Sequence, residues 1–126
     1  MPGPAKAGVL IYAKNLESIS LFYEKLLGMK RLFADAGHHV IESADMQLII
    51  HAIPEQFARD ITISSPPELR ENQAIKPFFT VSSLAEAERV AAELGGRVYG
   101  QNYSGPGFTV RNACDPEGNI LQIRQC

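Results

Sequence analysis

The sequence predicts an α+β domain made of two copies of one β-α-β-β-β unit. Gly8-Val9-Leu10-Ile11-Tyr12-Ala13, then Asn15-Leu16, a helical run and Leu26-Leu27-Gly28, recurs as Lys76-Pro77-Phe78-Phe79-Thr80-Val81, then Ser83-Leu84, a helical run and Leu94-Gly95-Gly96. One offset relates the copies: Leu16 to Leu84, Leu26 to Leu94 and Gly28 to Gly96 are each 68 positions. In both halves a helix-period apolar pattern is followed by short β-type segments. A repeat of this kind means paired modules, with chemistry expected where they meet. All 126 residues form one domain, with module one at about 7–52, a connection at 53–74 and module two at about 75–126.

The elements follow in order. Val9 to Ala13 is a short apolar strand, and Asn15 is a helix N-cap whose side-chain oxygen accepts from a free amide. Leu16, Ile19, Phe22, Tyr23, Leu26 and Leu27 recur at helical spacing, and Gly28 supplies the left-handed stop. Strands are predicted at about Lys30–Ala34, His39–Ser43 and Met46–Ala52, separated by Asp35-Ala36-Gly37 and Ala44-Asp45 turns. Pro54 to Ala74 has no sustained period beyond a turn of helix near Glu55–Arg59. Module two opens at Phe78–Val81, and Ser83-Leu84-Ala85-Glu86 has the spacing of a reciprocal capping box. Leu84, Ala87, Val90, Ala91 and Leu94 form the second buried stripe, ended by Gly95-Gly96. Strands follow at about Arg97–Tyr99, Phe108–Ala113 and Ile120–Gln125. Tyr103-Ser104-Gly105-Pro106-Gly107 reads as a flexible loop, and Asp115-Pro116-Glu117-Gly118-Asn119 as a tight hairpin turn.

Composition bounds the function. A hydrophobic content of 45% in 126 residues is an ordinary globular core, burying about two-thirds of the unfolded surface. A net charge of −2, with Lys and Arg scattered, lacks the footprint of a nucleic-acid binder. No apolar run approaches the roughly 20 residues of a membrane span, and the N-terminus lacks a leader's charged-then-apolar pattern. The expectation is a cytoplasmic protein. Cys114, in a strand, and Cys126, at the terminus, form no metal or redox spacing and read as a buried small residue and a free thiol.

Asn15-Leu16, Leu21-Phe22-Tyr23, Leu26-Leu27-Gly28 and the closing Asp115-Pro116-Glu117-Gly118-Asn119-Ile120-Leu121-Gln122 together resemble the glyoxalase, bleomycin-resistance and extradiol-dioxygenase (vicinal oxygen chelate) superfamily, over nearly the whole chain. The resemblance implies modules whose strands form a curved, eight-stranded mixed sheet around a cleft, in a homodimer. It also implies metal ligands near the start of each module's first strand and on each module's last strand. Here those positions carry Gly8 and Lys76 on the first strands and Gln122 on the closing strand. In module one the last-strand position is Ile49, or His51 if the register shifts by two. Glycine donates nothing, lysine repels a divalent cation and a neutral amide is a weak ligand. No metal and no other cofactor is expected.

Counting alternation from Gly8, one face carries Leu10, Tyr12, Lys76, Phe78, Thr80, Ile120, Gln122 and Arg124. Such a face suits a small organic molecule, with apolar walls and cations to orient an anionic group; its side chains can equally fill a barrel interior. The candidate ligand-binding residues are Tyr12, His51, Lys76, Phe78, Tyr103, Gln122 and Arg124. Lys76 can hold a carboxylate or act as a base, and His51 can transfer protons near neutral pH. His38 and His39 face opposite sides of their strand and chelate poorly. Tyr99, Tyr103 and Gly105-Pro106-Gly107 can form a lid. Arg111 points into the cleft or away from it, and Ser104 has no triad context. The leading expectation is a metal-independent binding protein resembling the bleomycin-resistance branch, sequestering a drug or metabolite. The alternative is a glyoxalase-type lyase or isomerase using His51, Gln122 or Lys76, and the third is an interaction domain with a filled cleft.

Overall fold

Asn15 sets the start of the first helix: its side-chain oxygen accepts from the Ser18 amide at 3.1 Å. The computed structural model describes residues 5–126. Residues 1–4, which begin the predicted domain and the stretch read for a leader, lie outside the described residues. Strand β1 (Gly8–Ala13) leads into α1 (Leu16–Leu27), followed by β2 (Lys30–Ala34), β3 (His38–Glu42) and β4 (Gln47–Ala52). The connection holds a short helix, α2 (Glu55–Ala58). Module two comprises β5 (Phe78–Thr80), α3 (Leu84–Glu93), β6 (Arg97–Val98), β7 (Tyr103–Gly105), β8 (Phe108–Cys114) and β9 (Ile120–Gln125).

The modules share one topology. Their sheets run β1-β4-β3-β2 and β5-β9-β8-β6, with β7 also on β8. In each, the first and last strands pair in parallel and the other pairs are antiparallel. β6 and β7 lie along the same edge of β8, so together they hold one strand position and the eight predicted positions are filled. They are divided between two mixed sheets. The predicted flexible loop at 103–107 is corrected: Tyr103–Gly105 pairs with Phe108–Val110 as a hairpin. The capping box is half formed. Ser83 Oγ accepts from the Glu86 amide at 3.1 Å, while the Glu86 carboxylate turns to Arg89.

Both helices bury their predicted stripes in one common core. Ile19, Phe22, Tyr23 and Leu26 of α1 pack with Ile41, Leu48 and Ile50 of the first sheet, and Leu84, Ala87 and Ala91 of α3 with Ala113, Leu121 and Ile123 of the second. Each large apolar side chain buried this way contributes about 1.5–3 kcal/mol. The seam between modules is polar and specific. Tyr23 donates its hydroxyl to Asp115 Oδ2 at 2.8 Å, and the Glu117 carboxylate accepts from the Lys14 and Asn15 amides at 2.8 and 2.7 Å. The closing turn of module two therefore holds the first helix of module one. Gly118, at φ +85°, is needed there, since a Cβ would lie 2.0 Å from the Glu68 carbonyl oxygen. The connection is tied down by Gln73, whose side-chain amide donates to the Ile120 carbonyl at 2.7 Å and accepts from its amide at 2.9 Å.

Candidate ligand-binding site

Residue equivalence between the modules follows from their parallel strand pairs. Leu10 lies opposite Ile49, and Phe78, 68 positions after Leu10, lies opposite Gln122. Ile49 is therefore the counterpart of Gln122. By the same step His51, opposite Tyr12, is the counterpart of Arg124, opposite Thr80. Of the two registers open from sequence, the structure takes the one with Ile49. Gly8 sits against Gln47, where a Cβ would come 2.8 Å from the Gln47 carbonyl oxygen. Close strand packing, as well as residue type, thus keeps a ligating side chain out of position 8.

On the first sheet the side away from the core carries cross-strand rows: Leu10, Ile49, Val40 and Phe33, then Tyr12, His51 and His38. The rings of Tyr12 and His51 lie 5.4 Å apart, those of His51 and His38 6.2 Å apart and nearly parallel, and those of His38 and Phe33 4.9 Å apart. His51 Nδ1 donates to the Ala52 carbonyl at 2.8 Å, which leaves Nε2 as the acceptor of the neutral ring. His39 takes the opposite side, as alternation requires, and is buried with Nδ1 2.6 Å from Ser20 Oγ.

The second sheet presents Phe78, Gln122 and Asn112 in one row and Thr80, Arg124, Val110 and Tyr103 in the next. Gln122 Nε2 donates to Asn112 Oδ1 at 3.4 Å. The Arg124 guanidinium lies 3.9 Å from the Phe78 ring centroid and 4.3 Å from that of Phe108. Tyr99 joins Asn112 through its backbone amide at 2.9 Å, and its ring lies beneath the Arg97 guanidinium. Burial pushes the Tyr99 phenol and the Cys114 thiol above their ordinary values. Arg111 faces the other way, donating to Glu88 at 2.9 Å and Asn102 at 2.7 Å.

Of the predicted ligand-binding residues, Lys76 and Tyr103 line one hollow and Tyr12 another, while His51, Phe78, Gln122 and Arg124 line neither. Lys76, which is exposed ahead of β5, shares a hollow of about 320 Å³ with Tyr103, Tyr99 and Asn112. Leu10 and Tyr12 wall a second hollow of about 570 Å³ at the module seam, facing Gln73, Ile75 and Ile120. His51 and Gln122 sit on different sheets. Phe33, Phe108 and Asn112 have no place among the site residues expected from sequence, where Tyr99 stands only as part of a lid and His38 only as a poor chelator. Pairing across the Asp115 turn places Asn112 beside Gln122, and that hairpin register was the available signal for the β8 residues. A larger hollow, about 900 Å³, lies elsewhere, against the start of α1 and the 62–67 segment. Its charged groups are already engaged: Lys14 Nζ on the Ile61 carbonyl, Glu17 on Arg31 and Glu117 on the α1 amides.

No family model and no curated relative matches this sequence. Solved structures do match. A glyoxalase/bleomycin resistance protein/dioxygenase family enzyme from Burkholderia phytofirmans PsJN superposes with a TM-score of 0.70 at 16% identity, covering 96% of this chain and 98% of its own. A bleomycin-binding protein complexed with bleomycin matches at 0.62 and 22% identity, over 96% and 98%. The fosfomycin resistance protein FosX from Mesorhizobium loti matches at 0.65 and 9%, over 95% and 90%. The chain has the glyoxalase/bleomycin-resistance/dioxygenase fold. Set on this fold, Gly8, Ile49, Lys76 and Gln122 do not fit a divalent metal, since only Gln122 brings a donor. Among the described residues no three His, Cys, Asp or Glu side chains gather as a metal cluster. No helix there is long and apolar enough to cross a membrane.

Proposed function

We propose that this protein binds a small organic molecule on the open faces of its sheets, without a metal and as a homodimer. The observation that carries the reading is the aromatic lining left uncovered by the chain itself. Tyr12 is 56% exposed, Phe78 53% and Leu10 48%, on strands whose opposite sides are packed. Large apolar side chains gathered at such exposure mark binding surfaces. A second copy about a two-fold axis would set one chain's first sheet against the other's second, so that each pocket draws walls from both. Gly8, Ile49, Lys76 and Gln122 favour binding by contact and charge over metal chemistry. The bleomycin-binding neighbour supports sequestration as a use for such a face.

The test is elemental analysis of purified protein after dialysis against Ni²⁺, Zn²⁺, Fe²⁺ and Mn²⁺, with thermal shifts and light scattering. The expected result is a dimer with no stoichiometric metal and no stabilisation by any of the four. Near-stoichiometric metal with stabilisation overturns the metal-free reading, and a monomer overturns the shared pocket.

His51 favours a second reading, a glyoxalase-type lyase, because its Nδ1–H is held by Ala52 and its Nε2 is left to accept a proton. Turnover of a 2-oxoaldehyde thiol adduct that is lost in His51→Ala would establish it. Absence of turnover in the wild type would remove it.

A further inference from the structure

Arg124 differs from the arginines that hold the structure together. Arg31 pairs with Glu17 and Glu24, Arg89 with Glu86 and Glu93, and Arg111 with Glu88. Arg124 has none of these attachments among the described residues, and its Nε is buried with no hydrogen-bond partner. Native structures seldom leave such a donor unmatched, and where they do the group calls for a functional account.

What holds Arg124 is aromatic. β9 runs between β5 and β8, so Phe78 approaches the guanidinium from one side at 3.9 Å and Phe108 from the other at 4.3 Å. Rings against its faces leave the planar edge of the guanidinium, which matches the two oxygens of a carboxylate or phosphate. The placement of Phe108 depends on Gly105, where a Cβ would lie 2.2 Å from the ring tip. The strand face itself carries only positive charge, with Glu71 at its edge near Tyr99. This face of β5, β8 and β9 has no Asp or Glu, while Lys76 and Arg97 stand at its rim. Thr80 and Tyr103 add hydroxyls in the same row as Arg124. Lys76 is a weaker anchor, being exposed on a flexible stem.

We propose that Arg124, cradled by Phe78 and Phe108, anchors the negative group of a planar organic oxyanion, a carboxylate or a phosphate ester. The ligand's apolar body lies over Val110 and the neighbouring rings. The inference rests on the organic-ligand reading above and names the class of ligand. The rings restrict the half-buried guanidinium to one orientation, with its Nε buried, so the anion's selectivity is set there.

Calorimetry with 2-naphthoate, 2-naphthyl phosphate and neutral 2-naphthamide tests it, using wild type, Arg124→Gln, Arg124→Lys and Gly105→Ala in phosphate-free buffer. At least one anion should bind wild type tenfold or more tightly than the amide, and the tighter of the two identifies the oxyanion. Arg124→Gln should erase that preference, so that the anions and the amide bind with equal affinity. Arg124→Lys should retain part of it, and Gly105→Ala should reduce it by displacing Phe108. Equal binding of anions and amide by wild type, or a preference that survives Arg124→Gln, overturns the anchor and leaves the organic-ligand reading standing. Failure of all three probes to bind folded wild type overturns both. Melting curves establish that each variant folds, and the wild-type ratio decides the matter if Arg124→Gln does not.

Discussion

Replacing Tyr23 with Phe tests whether the modules are joined by a buried polar bond or by packing alone. The tyrosine is 1% exposed, and its ring packs edge-on to Phe22 and near Phe79, contacts that phenylalanine keeps. What is lost is the 2.8 Å bond to Asp115 Oδ2. That oxygen keeps the Asn119 side-chain amide at 2.8 Å, and Oδ1 keeps the Glu117 and Asn119 amides at 2.9 and 3.1 Å, so no acceptor is orphaned. The loss therefore falls in the lower part of the range for bonds to a charged group, about 1.5–2 kcal/mol. For a domain this size Tm should fall by roughly 5–8 °C. Burial holds the Asp115 carboxyl above its ordinary value against the pull of its donors. The folded state thus binds that proton more tightly than the unfolded chain, and this group's contribution to stability falls as pH rises through the window between the two values. Removing a donor to the carboxylate raises the folded-state value further. The gap between wild type and Tyr23→Phe should then narrow as pH falls through that window and Asp115 becomes neutral. Urea unfolding followed by circular dichroism, at neutral pH and across the acid range, measures both. A loss below about 0.5 kcal/mol, or a gap that does not change with pH, refutes the reasoning.

Other outcomes follow from single contacts. Gln73→Ala removes both bonds to the Ile120 backbone and should cost about 1–3 kcal/mol, with faster hydrogen exchange at the Ile120 amide. A thiol reagent should label Cys126 at once and Cys114 only on unfolding, because burial both shields the Cys114 thiol and raises its pKa; two fast thiols would contradict this. Gly8→Asp should destabilise by about 1–3 kcal/mol through the clash with the Gln47 carbonyl, and calorimetry with Ni²⁺ should show no gain in metal affinity.

Much of the architecture was legible in the chain because its causes are local. Asn15 and Gly28 bound α1 through a capping bond and a left-handed φ, both settled within a few residues. Ser83 does the same for α3, and Asp115 closes its own turn by accepting from Glu117 and Asn119. Alternation placed Tyr12, Phe78, Gln122 and Arg124 on the side away from the core, since a strand's period of two depends on no neighbour. That same period could not choose between Ile49 and His51, which share a face. Only the pairing of β4 with β1 sets Ile49 opposite Leu10 and makes His51 the counterpart of Arg124. The Phe78–Arg124–Phe108 cradle joins three strands, and Glu117 reaches α1 from 102 residues away. Local sequence determined the helices, turns and faces of this protein. Which side chains meet on those faces was decided by strand register and module packing, because such contacts join residues whose separation along the chain carries no signal of their distance in space.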